Sequence, residues 1–236
     1  MITVTPFQKF GHQDHGWLNA CHHFSFASYH DPQRMGFGPL RVWNDDHIKA
    51  GTGFPQHGHQ DMEIITYVRR GAVSHEDNLG NKGRTEAGQV QVMSAGTGIR
   101  HAEFNLDDDD LDLFQIWLVP DEVGYPPRWD TRTFDRDQVS DGFVTLVSGR
   151  YDREDQDAPF IHQDAAFVAA VIGEGESVAY TLDPGRRAYL VPARGEVEVN
   201  GVPVPERGSA EISALTELTV KALKGAEVVM LDLPPE

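Results

Sequence analysis

The chain has 236 residues, room for one large domain or two of about 100 to 150 residues, each with a core of its own. Its 37 acidic residues against 20 basic ones give a net charge of −17 with His neutral, which repels phosphate backbones and anionic membranes and argues against direct nucleic-acid binding. With 39% hydrophobic residues and no apolar run near the ~18 residues of a membrane span, the composition is that of a soluble globular protein, not a membrane protein.

From the start of the chain, Met1 to Phe10 lacks the basic and then apolar pattern of an export signal. The single cysteine, Cys21, has no partner for an intramolecular disulfide. The cytoplasm is therefore the expected compartment, and Cys21 is read as an inert core residue. Ten of the eleven histidines lie at or before position 101, so any histidine chemistry is N-terminal. His22 and His23 are adjacent, would face opposite ways on a strand, and are read as packing residues. His12, His15 and Trp17 are read the same way, with cover for a barrel mouth as the alternative. Phe24, Phe26, Phe54 and Trp43 read first as core, and second as walls for a planar substrate.

Gly and Pro punctuate the chain between short runs rich in Val, Ile, Thr and aromatics, as in Met62 to Val68, Gln89 to Met93, Leu113 to Val119 and Glu227 to Leu233. This spacing predicts an all-β sandwich or barrel, with short helical turns near Asp14 to Phe26 and Gln163 to Val171. The acidic run Asp107 to Asp112 is read as a solvated loop. Val119 to Asp157, with Pro120, Pro126, Pro127 and the charged tract from Tyr151, has the composition of a connector, which places a boundary near 130 to 145. A weak repeat, Arg70-Gly71 against Arg194-Gly195, predicts two sheet modules of one type. With these pairs aligned, His57, His59 and Glu63 fall opposite Thr181, Asp183 and Arg187, so the second module is expected to lack the first module's histidine chemistry.

In Gly51 to Glu63, His57, His59 and Glu63 occupy odd positions, and i, i+2 side chains of a strand share a face. After a glycine-rich turn, His101 and Glu103 repeat the arrangement. Three imidazoles and a carboxylate suit one divalent transition metal: Fe, Mn, Co, Ni, Cu or Zn. Spacing leaves Glu63 and Glu103 as alternatives for the carboxylate.

Gly51-x5-His57-x-His59-x3-Glu63 resembles the first cupin motif, and Gly88-x5-Ser94-x-Gly96 leading to His101 resembles the second. Ser94 stands where cupins usually have Pro, and four residues separate Gly96 from His101; both fit the pirin variant. His15-Gly16-Trp17-Leu18, Leu40-Arg41-Val42, Asn44-Asp45-Asp46, Asp61 to Val68 and Met93 to Glu103 likewise resemble the pirin family, nearest to its bacterial quercetin 2,3-dioxygenase branch.

The resemblance implies an all-β bicupin of two tandem cupin β-barrels (double-stranded β-helices). An N-terminal domain, 1–135, would carry the metal, and a C-terminal cupin-like domain, 136–236, would have no metal ligands. It implies His57, His59, His101 and Glu103 as ligands, Glu103 also as the catalytic group, and Glu63 as a neighbour orienting a ligand histidine. The implied activity is cleavage of a flavonol ring with O2 and release of CO, with a small polyphenol and O2 as partners. The alternatives are a pirin-like regulatory protein that binds a protein partner without turnover, and a cupin enzyme acting on another phenolic substrate.

Overall fold

The computed structural model describes residues 1–134, 142–150 and 158–235. Period-two patterning lays the described chain down as strands: over Glu217–Ala222, Leu218, Val220 and Ala222 are buried while Glu217, Thr219 and Lys221 are exposed. In chain order the first strands are β1 (Ile2–Thr5), β2 (Gly11–Asp14), β3 (Leu18–His22), β4 (Leu40–Ile48), β5 (Gly53–His59), β6 (Glu63–Arg70) and β7 (Ala72–Asp77). Then come β8 (Lys82–Glu86), β9 (Gln89–Ser94), β10 (Ile99–Phe104), β11 (Leu111–Leu118), β12 (Arg128–Thr133), β13 (Val144–Ser148) and β14 (Ala166–Ile172). The last are β15 (Ser177–Thr181), β16 (Arg187–Arg194), β17 (Val197–Val199), β18 (Val202–Val204), β19 (Ser209–Ile212), β20 (Glu217–Ala222) and β21 (Ala226–Leu233).

One compact unit comprises Gly11–Thr133 and Pro159–Gln163. Its larger sheet runs β12-β9-β6-β11-β4-β3-β2 and its smaller one β5-β10-β7-β8. They close on an apolar layer in which Leu18, Ala20, Ile48, Val68, Leu111 and Leu113 of the larger sheet pack with Val73 and Phe54 of the smaller. A further cluster sets Ile64 and Met93 against Ile99. Polar side chains occupy the remaining inward positions, and they make the site described below.

The other unit comprises Met1–Phe10, Phe134–Ala158 and Asp164–Glu236. Its sheets run β1-β19-β16-β21-β14-β13 and β15-β20-β17-β18. Between them lies an apolar cluster, with Val168, Ala170, Leu190, Val228 and Met230 packed with Val197, Val199, Leu218 and Val220, while the charges this unit buries are paired, Asp232 with both Arg150 and Arg186. Residues 1–10, expected within the N-terminal domain, group here because β1 pairs with β19, Ile2 opposite Ile212.

The Arg-Gly repeat marks matching corners: Gly71 between β6 and β7 and Gly195 between β16 and β17 both have φ of 77°. A Cβ at Gly71 would lie 3.1 Å from the Asp110 carbonyl oxygen, and one at Gly195 would lie 2.5 Å from that of Gly225. Both corners therefore need glycine for backbone conformation and for close approach.

The helical turns expected near 14–26 and 163–171 are not formed. β3 is paired between β2 and β4, and the Val- and Ile-containing run of β14 pairs along its length with β21, so tertiary pairing decides two short apolar runs that periodicity leaves ambiguous. Among the described residues the one helical element is a 3-10 turn, Phe7–Lys9. The expected connector holds β12 and β13, while the tract 151–157 and the 135/136 boundary lie outside the described residues. Asp112 lies inside β11, where it meets Arg70 Nε at 2.9 Å and His47 Nδ1 at 2.7 Å, so the acidic run is a solvated loop only as far as its end. Cys21 is buried. Among the described residues no helix is long and apolar enough to cross a membrane.

Candidate metal centre

The site is assembled on three neighbouring strands of the smaller sheet. In the antiparallel pairing of β5 with β10, His57 lies opposite His101, and an irregularity between His101 and Glu103 sets Glu103 opposite Phe54. On the other side of β10, Asp77 of β7 lies opposite His101, and His75 lies opposite Glu103. One ligand nitrogen each of His57, His59 and His101 lies within 4.8 Å of the others, and a second such group joins His75, His101 and Glu103. The His57 ring centroid stands 4.4 Å from that of His101 and 4.8 Å from that of His59.

Hydrogen bonding orients these rings. His57 Nδ1 lies 2.8 Å from the Pro55 carbonyl oxygen, which only accepts, so the proton sits on Nδ1 and Nε2 carries the lone pair. His101 Nε2 is buried and has no hydrogen-bond partner among the described residues. Burial, then the neighbouring imidazoles His101 and His57, push His59 down to about 4. Burial, then His57 and His75, push His101 down to about 3. Both rings are therefore neutral near pH 7 and present lone pairs. Converging neutral imidazoles, one with an orphaned buried nitrogen, fit a divalent cation in chemistry and in geometry.

Glu103 is buried and held at both oxygens: Gln91 Nε2 donates to Oε1, and Gln115 Nε2 donates to Oε2 at 2.9 Å. Gln115 is fixed in turn by Trp117 Nε1, which donates to its Oε1 at 3.2 Å. His75 stacks on Trp129 with centroids 4.9 Å apart and planes 11° apart. Gly83 makes room for that ring, since a Cβ there would lie 2.2 Å from Trp129 Cη2. Asp77 receives Asn81 Nδ2 and His75 at Oδ2 and the backbone N–H groups of Leu79 and Asn81 at Oδ1. Burial raises its carboxyl, and these bonds, from Asn81 and His75 first, outweigh burial and hold it below the usual carboxylate range.

A cavity of about 330 Å³ opens on His57, His59 and Glu103. Trp17, Phe26, Phe54 and Trp117 give it aromatic walls, with Trp117 edge-on to His59 at 4.9 Å. Asn44, Asp46 and Gln115 supply polar groups to the lining. Asp46 Oδ1 is buried with no hydrogen-bond partner among the described residues, and burial, then Asp45 and Glu103, push the Asp46 carboxyl up to about 8.

The Pirin family model matches residues 3–118, and the model described as quercetinase C-terminal cupin domain matches residues 145–233. A pirin-like protein of Caulobacter vibrioides is 55% identical over 232 residues, covering 98% of this chain and 99% of the relative. The chain belongs to the pirin family. Its fold is the all-β bicupin that the sequence resemblance implies. Within the pirin family, the protein named quercetin 2,3-dioxygenase in Escherichia coli (strain K12) is 41% identical over 236 residues, 100% of both chains. The crystal structure of the bacterial pirin YhhW from Escherichia coli, in complex with nickel(II), matches with a TM-score of 0.93 at 40% identity over 100% of both chains.

His57, His59 and Glu103 line the cavity, and His101 joins His57 and His59 in one group and Glu103 in the other, whereas Glu63 belongs to neither group. The alternation that would carry His59's face to Glu63 is reset at 60–62, where Asp61 turns with φ of 46°. Glu63 opens β6 facing away from the histidines, accepting from Ser94 Oγ at 2.7 Å and pairing with His162 Nδ1 at 3.2 Å. Burial pushes its carboxyl above the usual range, against the bond from Ser94 and the His162 charge. Sequence reasoning missed His75 and Asp77, an i, i+2 pair like the other two, and also Asp46. Of the aromatics, Phe26 and Phe54 line the cavity, while Phe24 and Trp43 are core. His22, read as packing, lines the cavity too, its Nδ1 2.8 Å from Asn44 Oδ1.

Proposed function

We propose that the protein is a cytoplasmic metal-dependent dioxygenase that opens a flavonol ring with O2 and releases carbon monoxide, with His57, His59, His101 and Glu103 holding one divalent transition metal. The reading is supported above all by the cavity: flat aromatic walls end on the imidazole cluster and on a carboxylate whose two oxygens are fixed by amide donors. Its volume lies in the range of small-molecule sites.

The metal, when bound, supplies a Lewis acid that acidifies the substrate hydroxyl and a template for substrate and O2. The chain's residues do the rest. Trp17, Phe26, Phe54 and Trp117 bind the planar rings and exclude water. Glu103 accepts the proton of the flavonol 3-hydroxyl, and Gln91 and Gln115 hold it in place for this. The two ring bonds to the carbon bearing that hydroxyl break, the carbon leaves with its oxygen as CO, and both atoms of O2, the oxidant, remain in the depside product.

The test is elemental analysis of untagged protein, followed in the same sample by loss of quercetin absorbance, O2 uptake and CO release. One equivalent of metal with quercetin and O2 lost one for one is the expected result. Absence of metal even after reconstitution, or metal without quercetin-dependent O2 uptake, overturns the reading.

A further inference from the structure

His75 and Asp77 are used by none of the steps above, yet both are buried and both reach the cluster. A chain of hydrogen bonds runs from Asp77 Oδ2 to His75 Nε2 at 3.2 Å and from His75 Nδ1 to His101 Nδ1 at 3.4 Å. With His75 neutral, each polarity in that chain follows from the one before it. An Asp77 carboxylate receiving N–H groups from Leu79 and Asn81 accepts from His75 also, which places the His75 proton on Nε2. A neutral His75 then has only a lone pair at Nδ1, so His101 donates its Nδ1–H there. That leaves His101 Nε2, the buried nitrogen without a partner among the described residues, as a lone pair. His75 has both ring nitrogens engaged and one face against Trp129, which makes it a support for the cluster and not one of its ligands.

We infer that Asp77 and His75 are positioning residues that fix the tautomer of His101, so that its Nε2 lone pair is set for a metal ion before the ion arrives. The metal half of this statement rests on the ligand set proposed above; the tautomer half stands on the metal-free protein alone. Outer partners of metal-binding histidines typically change metal affinity by ~10- to 100-fold when lost.

The geometry around Asp77 allows a test by exchange of one atom. Two backbone N–H groups, from Leu79 at 2.9 Å and Asn81 at 3.0 Å, hold Oδ1. In Asp77→Asn they retain the side-chain oxygen at that place, so the amide nitrogen replaces Oδ2 and donates toward His75, and the Asn81 amide, whose Nδ2 donates to Oδ2 in the wild type, turns its oxygen to that nitrogen. The chain then inverts, and the His101 proton moves to Nε2.

Long-range proton–nitrogen NMR of the metal-free protein reads the His101 tautomer, and chelator competition reads the nickel(II) dissociation constant. The expected result is an Nδ1-protonated His101 in the wild type, an Nε2-protonated His101 in Asp77→Asn, and nickel bound ~10- to 100-fold more weakly by the variant, whose metal-free form stays folded at the assay temperature. His75→Phe keeps a ring against Trp129 without the acceptor. It should also weaken nickel by ~10-fold or more, which preserves the test should Asp77→Asn not fold. An Nε2-protonated His101 in the metal-free wild type overturns the inference, as does wild-type nickel affinity in a folded variant. A wild type with the expected tautomer that takes up no nickel would instead refute the ligand set and leave the relay standing.

Discussion

Inward from β4, β6, β9 and β11 of the first barrel point Asn44, Asp46, Thr66, Gln91 and Gln115, whereas the matching strands of the second barrel send in Val168, Ala170, Leu190, Ala210, Val228 and Met230. With the Arg-Gly corners aligned, Thr181 and Asp183 stand for His57 and His59. Glu217 lies opposite Thr181 as His101 lies opposite His57. These second-barrel groups are satisfied locally: Thr181 Oγ1 donates to Glu217 at 3.1 Å, and Asp183 pairs with Arg150 at 2.5 Å. The difference teaches that the second barrel packs mainly apolar side chains between its sheets and pairs the few charges it buries, Arg150, Arg186 and Asp232, with one another. The polar layer of the first barrel carries a desolvation cost, which the proposed metal site accounts for.

The hardest test of that comparison removes a ligand from one barrel and its counterpart from the other. His101→Ala should abolish stoichiometric metal and lower quercetin turnover by more than the ~10- to 100-fold typical of an outer partner, while Glu217→Ala should leave both at wild-type level. Elemental analysis and quercetin decay check it, and equal loss in both variants would erase the distinction. Next in size is stability. Met230→Ala opens a cavity in the apolar interior and should cost ~2–5 kcal/mol in urea unfolding with metal per folded chain unchanged. Opposite in sign, and confined to alkaline pH, is Asp46→Asn. In the metal-free protein the folded state keeps the Asp46 proton up to about pH 8, while the unfolded chain releases it above about pH 4, so stability declines as pH rises between those values. The variant should remove that slope, raising stability at pH 8 and leaving it almost unchanged at pH 4, as read by urea midpoints.

Strands whose apolar pattern is unbroken are legible in the local sequence: Met62 to Val68 lies within one residue of the start of β6, Gln89 to Met93 lies within β9 and Glu227 to Leu233 within β21. The spacings of His57, His59, His101 and Glu103 are legible for the same reason, since each pair sits on a single strand. What crosses strands is not. His75 and Asp77 reach the site only because β7 pairs with β10 in the register that sets them opposite Glu103 and His101, and a register is not written in local spacing. Glu63 misleads because three residues of turn reset the face on which the next strand begins.

All four tryptophans, at 17, 43, 117 and 129, belong to the first barrel. Indole fluorescence therefore reports on that barrel alone, and the second is dark at the same excitation. Trp117, edge-on to His59 at 4.9 Å, is close enough for an open-shell ion at the histidines to quench its emission. The chain thus carries its own optical gauge of whether its first barrel is folded and whether the site within it is filled.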